Sequence, residues 1–421
     1  MFSKILRSET SCSLLDQSVV SGGNFLTALV LARLLAPADY GAFSLLFLSL
    51  FAINTCHTSL VVYPLTLRGA TALNGELGLL SSAALVHTLL LSVPLAGLLG
   101  IVTFALHRIE LWPVMSLAMV LWQLQETARR ALLAAVQSRS AILPDMLCYV
   151  GQAAALALVR PTRLAIVFLI VAATSLAAAC WQFALVKVTL RRLHLHREHA
   201  KYAWNIGRFA LAGNSLNMLA LQIPGWTLLL SFGPMAVAGY QSLLNLVGIA
   251  NPVMFSVSNL LIPLVARGAA QGIRQARLTV VRYGARYGLL VLPCFALLFA
   301  VPHLAMRIVY GVSSPYLTLA PLMRPFVFAF TLQYLATVVG AYEGGMSRPK
   351  TYMWVQILST ALLLTIGIVL IRLYGVKGAV DAMVLASATR LLTFLLLARA
   401  ADRSLIHGIP SLSPTYPGAV S

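Results

Sequence analysis

Twelve stretches of this chain are each long and apolar enough to cross a lipid bilayer, and they follow one another with short connections. Crossing takes about 20 mostly apolar residues in a helix. The stretches run 16–35, 42–65, 78–104, 112–136, 144–160, 163–187, 207–231, 236–265, 286–309, 317–341, 352–373 and 377–399. Each implies a helix, because hydrocarbon offers no partner for a free backbone N–H or C=O. The expectation is an all-α polytopic membrane protein of about twelve transmembrane helices. The chain is 60% hydrophobic and 10% charged, against about 25% charged residues in a soluble domain. A water-soluble enzyme is excluded on that ground.

The remaining charge is lopsided, with 30 Lys and Arg against 11 Asp and Glu. In a soluble protein such a balance would point to nucleic acid. In a membrane protein much of it is the cytoplasmic excess of basic residues, some of it sits inside helices, and no nucleic-acid partner is expected. Most of the basic residues at the connections fall on one side when both termini are cytoplasmic, with a minority, Arg33, Arg108, Arg160, Arg163, Arg307, Arg324, Arg372 and Lys377, at the other. The two largest, 188–206 and 266–285, read as basic amphipathic segments on an anionic leaflet.

A repeat divides the chain. Pro64-Leu-Thr-Leu-Arg68-Gly69-Ala70 closes the second stretch, and Pro263-Leu-Val-Ala-Arg267-Gly268-Ala269 closes the eighth. With six helices per half, the halves share one orientation, an arrangement typical of transporters. The expected organisation is a bundle over 1–187, a basic linker 188–206, a second bundle over 207–403 related by pseudo-two-fold symmetry, and a polar tail 404–421.

Polar side chains gather in helices one, four, seven and eight. Asn and Gln at Asn214, Asn217, Gln241 and Asn245 either join neighbouring helices by hydrogen bonds or line a hydrophilic cavity. Arg33, Arg68, Arg129, Arg130, Arg208 and Arg267 lie near these faces. Arginine holds diphosphate through paired, charge-assisted hydrogen bonds, so these ten residues form the candidate cargo site; the bland reading is snorkelling to lipid headgroups. Buried acids are few: Asp16, Glu126, Glu343 and Asp381. Asp16 and Glu126 are the candidates for coupling to a cation, although Glu126 lies one turn from Arg130 and can pair with it.

Neither a phosphate-binding G-x-x-x-x-G-K-[ST] loop nor H-E-x-x-H occurs. His194, His196 and His199 lie in a basic segment without supporting acids, so neither a metal nor a cofactor is expected. Five scattered cysteines show no CxxC spacing, and read as small core residues.

Several short runs resemble those of polysaccharide flippases in the multidrug/oligosaccharidyl-lipid/polysaccharide exporter superfamily. They are Leu31-Ala-Arg33-Leu-Leu-Ala-Pro37-Ala-Asp39-Tyr40-Gly41-Ala-Phe43, Ala238-Gly239-Tyr240, Tyr310-Gly311 with Pro315-Tyr316, and Tyr374-Gly375-Val376-Lys377-Gly378-Ala379. The resemblance spans nearly the whole chain. It implies two six-helix bundles around a cavity that opens alternately to each side of a bacterial cytoplasmic (inner) membrane. The implied cargo is a polyprenyl-diphosphate-linked oligosaccharide for O-antigen, capsule or exopolysaccharide. Membrane lipids, a polysaccharide polymerase and export machinery would be its partners. A multidrug cation antiporter of the same superfamily is the nearest alternative. A polytopic polymerase or ligase would be expected to carry a long outer catalytic loop, which this sequence lacks.

Overall fold

The computed structural model describes residues 9–69, 76–135, 137–186, 193–269, 271–346 and 348–406. The described residues form helices and short connections, with no strand among them. In chain order, α1 is Glu9–Leu34, α2 is Pro37–Gly69, α3 is Glu76–Ala105 and α4 is Trp112–Ala134. Next come α5 over 138–159, α6 at Leu164–Val186, α7 at Leu193–Phe232 and α8 over 234–269. Then follow α9 at Ile273–Ala300, the short α10 at Pro302–Tyr310, and α11 at Met323–Gly345. The chain ends in α12 over 349–374 and α13 over 376–406, separated by a break at Gly375.

Proline opens many of these helices. Pro37, Pro234, Pro302 and Pro349 sit in the first turn of α2, α8, α10 and α12. There the missing N–H costs nothing and the fixed φ already suits a helix. Three crossings contain a π-helical turn: Thr58–Val62 in α2, Met146–Val150 in α5 and Leu363–Gly367 in α12.

The α1–α6 bundle packs α4 along α6, α1 against α5 and α3 against α4. The second bundle packs α11 against α13, α8 and α9. The seam between them is made mainly by α2 lying on α7 and α8. The outward faces are apolar: Leu90, Val93 and Phe104 on α3 are 66%, 72% and 71% exposed. That is the surface of a molecule solvated by lipid.

Seven spans among the described residues qualify as membrane-crossing by length and hydropathy alone, with α12 and α13 counted together as one. Helices α1, α4 and α8 are not among them, and α7 offers only the shorter apolar stretch Met218–Phe232. These are the four helices on which the sequence concentrates polar groups, so polarity and burial between neighbours go together here.

Two boundaries differ from the sequence reading. The ninth crossing is 273–300 rather than 286–309, and residues 302–310 form the separate α10. Most of the basic connection 266–285 is therefore the first half of α9. Likewise 193–206 of the linker is helix continuous with α7; residues 188–192 and most of the tail 404–421 lie outside the described residues. The molecule has two ends along its helix axes. The Arg33 end is where α1 turns into α2, and the basic end is the opposite one, where α2 closes at Arg68.

Candidate functional site

The α1–α6 bundle encloses an ionic cluster near its basic end. Arg129 on α4 is 2% exposed. Its Nη2 donates to Asp16 Oδ2 on α1 and its Nε to Asp145 Oδ2 on α5, each at 2.5 Å. Its Nη1 reaches Glu126 Oε2 at 3.3 Å. Glu126 also accepts from Arg130 Nε at 2.6 Å. Asp145 Oδ1 takes two further donors, Gln125 Nε2 at 2.9 Å and Gln182 Nε2 at 2.8 Å. Helix spacing accounts for the convergence: residues 125, 126 and 129 sit within one turn of α4, facing α1, α5 and α6.

Three carboxylates meet two guanidiniums, so with every group ionised the cluster carries one negative charge in excess. Asp16 Oδ1 is buried and has no hydrogen-bond partner. A buried carboxylate oxygen in that condition is a seat for a cation or a proton, because an unpaired buried charge is costly. Among the described residues, no group of three or more His, Cys, Asp or Glu is arranged as a ready metal cage.

One turn toward the Arg33 end lies a nearly closed aromatic cleft, with room for about one water molecule in this conformation. Phe47, Trp122 and Tyr149 line it with Asn24, Gln152, Cys148 and Val171. Trp122 stands four residues before Glu126 on α4, and Tyr149 four residues after Asp145 on α5. Trp122 stacks on Phe47 at 6.5 Å and meets Phe51 edge-on at 5.1 Å. Gln152 Nε2 donates to Thr27 at 3.2 Å, fixing α5 against α1.

The sequence-derived cargo residues do not converge on one cavity. Arg129 is enclosed by acids, so its charge is neutralised inside the bundle rather than offered to a diphosphate. Arg130 is half-buried on Glu126. Arg33 reaches across the seam, donating from Nε to Val309 O at 2.6 Å and from Nη2 to Ile308 O at 2.7 Å. It caps the carboxyl end of α10, where helix carbonyls concentrate negative potential. Gln241 Nε2 donates to Asn245 Oδ1 at 3.0 Å, and Asn245 Nδ2 donates to the Tyr40 hydroxyl at 2.7 Å. These two therefore close the seam at the Arg33 end. Tyr40, Tyr310 and Tyr316 cluster there, with ring centres 5.4 and 6.2 Å apart. Burial pushes the Tyr310 hydroxyl well above the usual phenol range. It stays a donor, bonding Ser242 O at 2.8 Å.

Toward the basic end, Arg68 stacks over the Tyr202 ring at 4.4 Å, and Asn214 Nδ2 donates to Ser59 Oγ at 3.1 Å. Arg208 and Arg267 are exposed. The side chains of Asn217 and of His194, His196 and His199 lie outside the described residues. The second bundle has its own ionic knot, which the sequence did not suggest. Asp402 on α13, buried, accepts from Arg277 at 2.7 Å, Arg348 at 2.8 Å and the Tyr342 hydroxyl at 2.7 Å, and Arg348 also reaches Glu343 at 3.1 Å.

No protein-family profile matches the sequence, and no curated protein matches it. Solved structures do resemble it. An inward-facing multidrug resistance MATE family transporter of the MOP superfamily superposes with TM-score 0.64 at 14% identity, with 96% of each chain covered. An outward-facing MATE family transporter gives 0.61 at 13% identity, covering 96% of this chain and 98% of that one. A MOP superfamily transporter from Pyrococcus furiosus, with a binding pocket of reverse polarity, gives 0.60 at 16% identity over 96% of each chain. The likeness is one of fold to these transporters, and it does not single out the polysaccharide flippases that the sequence runs resemble. Identity at this level speaks for the architecture and leaves the cargo open. The chain has the two-bundle, twelve-helix fold of the MOP-superfamily membrane transporters.

Proposed function

We propose that this protein is a cation-coupled membrane exporter of small amphipathic cations, working by alternating access of its two bundles. The observation that carries this reading is the placement of the Phe47–Trp122–Tyr149 cleft one turn from the Asp16–Glu126–Asp145 cluster. Aromatic faces attract a desolvated cation, and an adjacent excess negative charge strengthens the attraction. The multidrug role of the similar solved structures supports the same reading. In the proposed cycle, a proton or sodium ion and the cationic cargo compete for the excess charge. Entry of one favours release of the other, because differential affinity for two states is what moves an equilibrium between them.

A second reading keeps a lipid-linked oligosaccharide diphosphate as cargo. It is favoured by Arg68, Arg208 and Arg267 on α2, α7 and α8, and by the absence of any acid in the sequence between Glu198 and the end of α8. Both termini on the cytoplasmic side belong to either reading and are supported by the charge bias; a bacterial inner membrane is what the resemblance to the flippases implies.

Ethidium efflux from proteoliposomes under an imposed proton or sodium gradient tests the first reading. The expected result is gradient-driven efflux that Asp16→Asn and Glu126→Gln each reduce at least tenfold. Absence of efflux, together with lipid-linked oligosaccharide trapped on the inner leaflet of deletion cells, would replace the first reading with the second.

A further inference from the structure

His57 is fully buried at the end of the regular part of α2. Its Nε2 lies 3.1 Å from the hydroxyls of both Thr88 on α3 and Thr127 on α4, and those hydroxyls are 2.9 Å apart. Each hydroxyl has one proton to give. Each also lies within reach of a carbonyl one turn back in its own helix, Ala84 for Thr88 and Gln123 for Thr127. If both protons go to those carbonyls, Nε2 carries the ring hydrogen. If instead the hydroxyls chain into Nε2, the hydrogen sits on Nδ1. In either arrangement Nδ1 is buried without a partner. A buried N–H without an acceptor is rarer than an acceptor without a donor. The ring is therefore held with Nδ1 bare, as a proton acceptor.

The position of the ring gives that nitrogen a consequence. The next residue begins the π-helical turn Thr58–Val62, and this turn is where α7 leans across the seam. Ser59 accepts from Asn214 there, and a β-carbon on Gly207 would lie 2.6 Å from the Ser59 carbonyl oxygen. A π turn departs from regular helical pairing and is frequent at functional sites. Asp145 of the acid cluster occupies the equivalent place, directly before the π turn Met146–Val150 in α5. Among the charged groups, Glu126 on α4 is next in sequence to Thr127, and α3 brings the Thr88 hydroxyl to the ring. Arg129 and Arg130 are already held by acids.

We propose that His57 is a second proton-binding site of the α1–α6 bundle, which links proton uptake to the contact between α2 and α7. The proposal rests on the cation-coupled reading above, with a proton as the coupling ion. In the step, hydronium gives its proton to Nδ1, an N–H bond forms and water is left, and the added charge is set against the one negative charge that the Asp16–Glu126–Asp145 cluster carries in excess. Reversal of the step releases the proton on the other side of the cycle. In the conformation seen, Nδ1 is buried with no hydrogen-bond partner among the described residues, which suits the uncharged member of the pair.

Two measurements test it on the full-length protein in lipid. Nitrogen-15 NMR of labelled histidine should give one imidazole with a bare Nδ1 that becomes doubly protonated across the pH range in which transport varies. That signal should be missing from His57→Gln. Ethidium efflux against pH should fall to about half its steepness in His57→Gln, because one of two interacting protonations is removed. A purely structural histidine would change the rate without changing that profile. An imidazole signal that stays neutral, or a wild-type profile in the variant, overturns the proposal; Asp16→Asn would still abolish coupling, and the cation-coupled reading would stand. Transport indifferent to pH in wild type overturns the proposal and leaves sodium as the ion of the cation-coupled reading; absence of efflux under either gradient overturns both. If His57→Gln does not insert, the NMR titration of wild type decides alone.

Discussion

At the scale of single residues, Arg129 decides how the α1–α6 bundle is read. Its guanidinium is shared by Asp16, Glu126 and Asp145, and the side chains of Arg129, Asp16 and Asp145 are all within 3% of full burial. Removing one member of such a set leaves the others charged and unpaired, at a typical cost of about 3–5 kcal/mol. Arg129→Gln is therefore expected to lower thermal stability by that order. The double change Arg129→Gln with Asp145→Asn should recover most of it, since the charge balance is restored. Equal destabilisation of single and double variants in a melting series would show that the pair is not coupled. The sequence marked Asp16, Glu126 and Arg129 as noteworthy and could not show that they meet, because α1 and α4 are far apart in the chain. Asp145 escaped notice for a local reason. It follows Pro144 at the start of a predicted apolar run, where an acid reads as an interfacial residue. Only the helix continuing back to residue 138 carries Asp145 into the bundle.

At the scale of elements, hydropathy located the crossings well and misplaced the ends where arginine sits inside a helix. The ninth crossing is the instructive case. Arg274, Arg277 and Arg282 break the apolar window, so the sequence reads them as part of a basic amphipathic connection and starts the crossing only at Arg286. Yet α9 has 28 residues, about 42 Å at the usual rise, against a hydrocarbon core of about 30 Å. Its first turns can project into the headgroups, and Arg277 is satisfied by Asp402. The α12–α13 turn was legible for the opposite reason, because its residues are short-range signals. Gly375 has φ 61° and ψ −132°, the first central position of a type II′ turn, which glycine favours. A β-carbon on Gly378 would overlap the Leu370 carbonyl. Gly375→Ala should thus cost about 1–3 kcal/mol through backbone strain alone. Gly378→Ala should cost more, since the hairpin must open. Both are checked by the melting temperature of purified protein, and an unshifted Gly378→Ala would mean that the two helices are not held this close.

At the scale of the whole molecule, the contacts across the seam identify which end is shut. At the Arg33 end, Arg33 caps α10, Asn245 bonds Tyr40, and three tyrosines fill the remaining space. Gly41 lies against the Pro234 carbonyl so closely that a β-carbon would overlap it. Alternating access requires this end to part, and the groups that part must be those bridging α1 and α2 to α8 and α10. A valine at 41 cannot be accommodated in the shut state but fits once α8 has moved away. It should therefore shift the population toward the form open at the Arg33 end, and Arg33→Ala should add to it by removing the two bonds to α10. The shift can be read with Ser242→Cys in a background without the native cysteines. Ser242 is fully buried when this end is shut. Its reaction with a membrane-impermeant maleimide should rise several-fold in Gly41→Val, and further when Arg33→Ala is added. Labelling should come from the side opposite the basic connections, which tests the proposed orientation in the same experiment. Reactivity unchanged by both substitutions would mean that this contact survives the whole cycle. The two bundles would then have to move about the Arg33 end as a fixed pivot, not open there.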